Sequence, residues 1–212
     1  MIVKVCGMRE PDNIRALEQL DVDWMGFIFY PKSPRFVATL PHYMPQTTKR
    51  IGVFVDNTTA DVVEKVREYG LHGVQLHGNM SADYCLRLRD ELRTLDREVL
   101  LIKVFSIATA ADLQQTEAYD GLCDYYLFDT RCPELGGSGR SFPWEILHDY
   151  RGETPFLLSG GISAGHVDQL AHFSHPGWAG IDLNSRFEVR PGYKDIASID
   201  TFIHNLFKTI QR

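Results

Sequence analysis

The residues able to do chemistry gather where short apolar runs stop. The first run ends Lys4-Val5-Cys6-Gly7, and a later one ends Gln75-Leu76-His77-Gly78. Others end Phe128-Asp129-Thr130 and Ser159-Gly160-Gly161, and the last carries Asp182-Leu183-Asn184-Ser185. Thiol, imidazole and carboxylate groups are those that carry protons in a reaction. The pair Gly160-Gly161 serves a different end, because glycine backbone can approach a ligand closely. A helix expected from about Ala164 would add free N–H donors and a favourable dipole for an anion. Such a collection suits a small anionic molecule, above all a phosphate ester.

The elements that must position these residues follow from the rhythm of the chain. Apolar runs occur at Ile2–Cys6, Trp24–Phe29, Ile51–Val55, Gly73–His77, Val99–Phe105, Asp124–Asp129, Pro155–Ser159 and Trp178–Leu183. Their starts are separated by 22 to 31 residues, about the length of a strand, a turn and a helix. The runs are almost continuously hydrophobic, as parallel strands covered on their outer face must be. Between them, Thr59–Tyr69, Ala82–Leu95 and Thr201–Gln211 carry apolar residues at helical spacing, with Thr58 or Thr59 and Ser81 as N-caps. Pro41 and Pro45 interrupt Ala38–Gln46, so the second helix is expected to be short or irregular.

Strand-helix units in this number close a barrel. The expectation is one domain over residues 1–212, an α/β fold of the (β/α)8 TIM-barrel class with eight parallel strands. An open doubly wound sheet is the alternative, but no GxGxxG follows the first run. Barrel enzymes build their sites at the C-terminal ends of the strands, which is where the polar residues collect. Strand alternation puts Lys4 and Cys6 on one side, and likewise Gln75 with His77 and Asp182 with Asn184. If Cys6 faces the interior, Lys4 does too, and its ammonium needs a carboxylate. Asp129 and Asp182 are the candidates for a polar layer beneath the pocket.

Composition narrows the partners. Apolar residues make up 44% and charged residues 24%, and the net charge is −6. A mildly acidic chain lacks the basic field expected of a nucleic-acid binder, although a local pocket can still be positive. The start, MIVKVCGMRE, is broken by charge too early for a signal peptide. No stretch approaches the roughly 20 apolar residues that span a bilayer. The expected compartment is the cytoplasm, without a membrane partner. Cysteines 6, 85, 123 and 132 form no CxxC pair and have no histidine at zinc-ligand spacing, so no metal is expected. Cys85, Cys123 and Cys132 read as packing or surface residues. The loop Glu134–Arg140, rich in glycine, is either a surface turn or a lid over the substrate.

Several segments, taken together and in order, resemble phosphoribosylanthranilate isomerase of tryptophan biosynthesis. They are Lys4–Met8, Gly26–Arg35, Gly52–Val55, Val74–Gly78, Phe128–Thr130, Gly136–Gly139, Leu158–Gly161 and Pro191–Asp195. The resemblance implies a cofactor-free Amadori rearrangement of N-(5-phosphoribosyl)anthranilate, by a monomer or homodimer. It places the general base on Cys6 and the general acid on Asp129. A base must start deprotonated, and a free thiol ionises near about 8.5. An acid must still hold its proton near neutral pH. The resemblance also puts Arg35 against the anthranilate carboxylate, which suits a guanidinium; taken alone, Arg35 reads as a solvated loop charge. His77 either lines the pocket or is a hydrogen-bonded histidine at a strand end. Asp182 suits ribose hydroxyls better than phosphate, because like charges repel. Phosphate is expected at Gly160, Gly161, Asn184 and Ser185.

One segment departs from the family. Where the family shows Asp-Val-Ser-Ser-Gly-(apolar)-Glu, this chain has Asp182-Leu183-Asn184-Ser185-Arg186-Phe187-Glu188. A positive φ at Arg186 would be strained. Its side chain points either to the phosphate or to solvent. Two competing readings remain. Another phosphosugar barrel, an epimerase or an isomerase of histidine biosynthesis, would need metal ligands or paired aspartates that the strand ends do not offer. A catalytically silent binding barrel would need neither Cys6 nor Asp129.

Overall fold

The computed structural model describes residues 1–20, 22–130 and 144–210. Its frame is a closed parallel barrel of β1 (Ile2–Cys6), β2 (Trp24–Ile28), β3 (Lys49–Phe54), β4 (Gly73–Leu76), β5 (Leu100–Ile107), β6 (Tyr125–Thr130), β7 (Phe156–Ser159) and β8 (Trp178–Leu183). The strands pair in chain order, and β8 returns to β1. Trp24, Ile51, Ile102, Val104, Leu127 and Leu157 form a buried cluster on one strand face. The other face sends Val5, Phe27, Leu76, Leu101, Phe128, Leu158 and Ile181 into the larger core shared with the helices. Both faces are thus buried, which is why the sequence runs look continuous rather than alternating.

The helices start where their caps are. In α1 (Pro11–Glu18), proline occupies the first turn, where its missing N–H costs nothing. In α2 (Thr59–Tyr69), Thr58 and Asp61 exchange side chain-to-backbone hydrogen bonds, and Gly70 closes the helix in the left-handed region at φ 60°. Ser81 caps α3 (Ala82–Arg93) by accepting from the Tyr84 N–H at 3.2 Å. The next connections carry 3-10 segments, Ala110–Tyr119 and Trp144–Asp149. A 3-10 turn at Ala164–His166 leads into the short α4 (Val167–His172). The last helix, α5 (Ile196–Ile210), begins before the Thr201 at which its apolar periodicity becomes visible. Among the described residues, no helix is long and apolar enough to cross a membrane.

Between β2 and β3 there is no helix. The Glu18 carboxylate, 7% exposed, organises this connection instead. It accepts from the Gln46 and Thr47 N–H groups at 2.6 and 2.7 Å, from the Thr47 hydroxyl at 2.9 Å, and from the Tyr43 hydroxyl. Burial alone would push this carboxyl up; the hydrogen bonds outweigh it and hold the group down at about 2. Arg50 completes the clamp by donating twice to the Pro45 carbonyl, at 2.9 and 2.7 Å. Two charged side chains thus satisfy backbone groups that a helix would have paired internally.

After β8, a tight hairpin of β9 (Glu188–Arg190) and β10 (Tyr193–Lys194) precedes α5. The Asn13 side chain on α1 locks it in place, donating to the Lys194 carbonyl at 2.9 Å and accepting from the Lys194 N–H at 2.7 Å.

Candidate active site

Register and alternation assemble the site. Lys4 lies directly opposite Asp182 across the β1–β8 pairing, and Cys6 opposite Gly26 across β1–β2. The Lys4 ammonium meets the Asp182 carboxylate at 2.8 Å, with side chains 0% and 6% exposed. This is the polar layer expected beneath the pocket, with Asp182 rather than Asp129 across from Lys4. Cys6 stands one pleat further up the same strand face as Lys4, whose charge acts on the thiol. Burial opposes a charged Lys4, but Asp182 and Cys6 outweigh it and raise its pKa. Burial likewise pushes the Cys6 thiol up, and Asp182 adds to it; Lys4 and Lys194 pull it down without outweighing burial, so its pKa is raised. The fit around the sulfur is tight. A Cβ built at Gly26 would sit 2.7 Å from Sγ, so the backbone of β2 comes as close as only glycine allows.

Above this layer opens a cleft of about 370 Å³. Cys6, Arg35, His77, Asp129, Gly160, Gly161, Asp182, Asn184 and Ser185 all line it. The structure thus brings every expected site residue to one end of the barrel. Asp129 stands on β6 opposite Ser106 of β5 and Ser159 of β7. A larger cleft of about 520 Å³ between the β4 and β5 loops also touches His77 but holds neither Cys6 nor Asp129. Size alone would not have picked out the cleft that holds both, since another of about 640 Å³ is larger still. The floor of the site adds Gln75, which the sequence placed on one side with His77 without giving it a role. Gln75 is 3% exposed, and its side-chain oxygen has no hydrogen-bond partner, an arrangement that costs free energy unless a ligand donates to it.

The segment expected to hold phosphate is built from glycine backbone. Gly160 and Gly161 have φ of 97° and 75°, conformations that other residues rarely adopt. A Cβ at Gly161 would meet nothing within 4 Å, so this backbone borders open space. The helix beyond is short, and the Ser163 N–H is already engaged by His166 Nδ1 at 3.0 Å. Next to the cleft this segment thus offers glycine backbone, with Asn184 and Ser185 beside it, rather than the end of a long helix. Arg186 escapes the strain feared from its sequence. It lies in the 3-10 turn Ser185–Phe187, and Asp56 is the one non-glycine with positive φ among the described residues. Its side chain is exposed, and its charge is felt by His166, whose pKa burial and Arg186 both lower.

Arg35 is more constrained than a loop charge. Its Nε and Nη2 donate to the two Glu188 oxygens at 2.8 and 2.5 Å. Glu188 also receives Lys194 Nζ at 2.7 Å and the Gly192 N–H at 3.0 Å. Lys194, fully buried, reaches Asn184 Oδ1 at 2.8 Å as well. Burial would raise Glu188, but Arg35, Lys194 and Gly192 outweigh it and hold its carboxyl below the usual range. Two donors suffice for this fork, so the remaining guanidinium N–H groups stay available at the cleft. Both Glu188 and Lys194 stand in segments tied to the family resemblance, yet their pairing was not foreseen. Cys132 and the Glu134–Arg140 loop lie outside the described residues.

A closed parallel barrel that gathers a thiol, carboxylates and a glycine cradle at its C-terminal rim is a (β/α)8-barrel enzyme for a small phosphorylated molecule. The particular family is set by comparison. Residues 3–205 match the family described as N-(5'phosphoribosyl)anthranilate (PRA) isomerase, and the chain belongs to it. An N-(5'-phosphoribosyl)anthranilate isomerase of Phocaeicola vulgatus is 52% identical over 211 residues, spanning 100% of both chains. One from Parabacteroides distasonis is 49% identical, over 97% of this chain and 93% of the relative. Among solved structures, phosphoribosyl anthranilate isomerase from Thermotoga maritima superposes with a TM-score of 0.79 at 28% identity, covering 98% of this chain and 100% of that one. A phosphoribosyl anthranilate isomerase in complex with reduced 1-(o-carboxyphenylamino)-1-deoxyribulose 5-phosphate gives 0.77 at 26% identity, over 98% and 100%.

Proposed function

We propose that this barrel carries out the Amadori rearrangement of N-(5-phosphoribosyl)anthranilate to 1-(2-carboxyphenylamino)-1-deoxyribulose 5-phosphate, a step of tryptophan biosynthesis, with Cys6 as base and Asp129 as acid. The reading rests on one observation above the rest: Cys6 on β1 and Asp129 on β6 line the same 370 Å³ cleft beside the glycine cradle. Asp129 donates its proton to the ribose ring oxygen, the C1–O bond breaks, and the nitrogen lone pair forms the Schiff base. Cys6 as thiolate then removes the C2 proton; the C2–H electron pair forms a C1=C2 double bond and the C1=N pair returns to nitrogen, giving an enolamine. Tautomerisation of the enol to the ketone completes an isomerisation in which no electron leaves the substrate. No cofactor is called for.

Binding roles follow from charge and placement. The phosphate sits at Gly160, Gly161, Asn184 and Ser185, and the remaining N–H groups of Arg35 take the anthranilate carboxylate. Asp182 still has acceptor capacity for a ribose hydroxyl beside its bond to Lys4. His77 lines the wall nearby. The test is turnover of freshly made substrate, followed by loss of anthranilate fluorescence, in wild type, Cys6→Ser and Asp129→Asn. Each variant is expected to fall by at least about 10²–10⁴-fold while keeping its folded circular dichroism spectrum. A folded wild type without turnover, or a variant that keeps it, would overturn the assignment.

A further inference from the structure

A thiol buried to 3% exposure is an awkward base, because burial disfavours the thiolate. The cations among the charges that face Cys6 offset part of that cost. On its own strand stands Lys4, from β8 comes Asp182, from β10 Lys194, and from the loop after β2 Arg35. Across the cleft are His77 at the end of β4 and Asp129 on β6. Three of these groups are cations, Lys4, Arg35 and Lys194, and they are paired with only two carboxylates, Asp182 and Glu188. The paired cluster therefore carries one surplus positive charge, and a Cys6 thiolate brings it to zero.

Within this cluster Lys4 holds a special position. It is fully buried, bonded to Asp182 at 2.8 Å, and two residues before Cys6 on the same inward face of β1, where its charge acts on the thiol. Stability does not explain such a pair, since well-packed apolar residues serve a barrel interior as well or better. We propose that Lys4 is the positioning residue that makes Cys6 a base, its ammonium clamped by Asp182 on one side and stabilising the thiolate on the other. The proposal rests on Cys6 being the base, and it adds how this buried thiol can ionise. Asp182 then has a second duty besides any ribose contact: it keeps the ammonium charged and aimed at the sulfur.

The measurement is ultraviolet titration of the thiolate, taken for each protein as the difference from the same protein carrying Cys6→Ser. That subtraction removes the other cysteines. In Lys4→Met the Cys6 midpoint should rise by about 1–3 pH units, and kcat/KM at neutral pH should fall by a corresponding 10- to 1000-fold. Lys4→Arg should restore part of both. If Lys4→Met does not fold, the neutral double variant Lys4→Met/Asp182→Asn removes the ion pair as a unit, and its midpoint should still rise. An unchanged midpoint in the folded single or double variant overturns the proposal. Loss of turnover in Cys6→Ser with an unmoved midpoint would sink this inference alone. Retained turnover in Cys6→Ser would sink the base assignment instead, whatever the titration shows.

Discussion

Replacing Glu188 by glutamine tests whether the hairpin after β8 is a structural anchor for the site. Glutamine keeps the shape and one acceptor but removes the charge that Arg35 and Lys194 share. The side chains of Glu188 and Lys194 are 5% and 0% exposed, and that of Arg35 is 18% exposed. Neutralising one partner of a buried pair strands the other charge, at a cost of about 3–5 kcal/mol. The retained acceptor puts the expectation at the lower end, about 3 kcal/mol. For a chain of this length that is a fall in Tm of roughly 6–12 °C.

The pH dependence gives the sign. Glu188 is held below its unfolded value, so its contribution is complete above the unfolded carboxylate range, about 4.3, and disappears as pH falls through the folded value. The melting gap between wild type and Glu188→Gln should therefore be full at neutral pH and shrink in acid. Added salt should change it little, because the pair is shielded from solvent. Thermal melts across that range supply the data. A gap under about 1 kcal/mol at neutral pH, or one that persists unchanged in acid, would refute the anchoring role.

Two further predictions concern recognition and the missing helix. Arg35→Gln should raise KM for phosphoribosylanthranilate by about 10- to 100-fold, the worth of a charged hydrogen bond, yet leave turnover of the phosphoribosyl-aniline analogue, which lacks the carboxylate, nearly unchanged; equal losses on both would place Arg35 elsewhere. Glu18→Gln should cost about 1–3 kcal/mol at neutral pH and expose residues 30–48 to proteolysis. With a folded pKa of about 2 against an ordinary 4.5, that cost should vanish as pH falls through this interval, and a gap constant down to the lower value would refute the clamp.

The barrel was legible because its strands are buried on both faces, so each shows as an uninterrupted apolar run between helical segments. Lys4 was legible for the converse reason. A charged residue two places before Cys6 on an inward face demands a partner, and alternation left two aspartates to choose from. Only register made the choice, since Lys4 and Asp182 are 178 residues apart and meet where β8 closes onto β1. Glu188 and Lys194 follow no helix or strand spacing. Their contact depends on the turn at Gly192, with φ 81°, and on Asn13 holding the hairpin. Prolines foretold an irregular second connection, but Glu18, which stabilises it, sits on the preceding helix and looks like an ordinary solvated acid. Arg186 misled because strain was inferred from a glycine in other sequences, whereas this chain makes a 3-10 turn there.

The chain's net charge of −6 makes the composition of the rim informative. A protein with more acids than bases has nonetheless drawn Lys4 and Lys194, fully buried, and Arg35, at the rim, into one cluster whose paired carboxylates among the described residues are Asp182 and Glu188. Buried cations are costly without a partner, so an anion entering this cleft gains from the field they set up. A phosphate, an anthranilate carboxylate and a Cys6 thiolate are all negative, and each gains from the same field. Binding and base formation are then coupled. Substrate anions stabilise the cations and compete with the thiolate for them, so bound substrate should draw on Arg35 at the rim and leave Lys4, sealed below it, to Cys6. That division of labour explains why the cations lie at two depths, and it requires that Lys4 and Arg35 fail differently: Lys4 in the pH profile of kcat, Arg35 in KM.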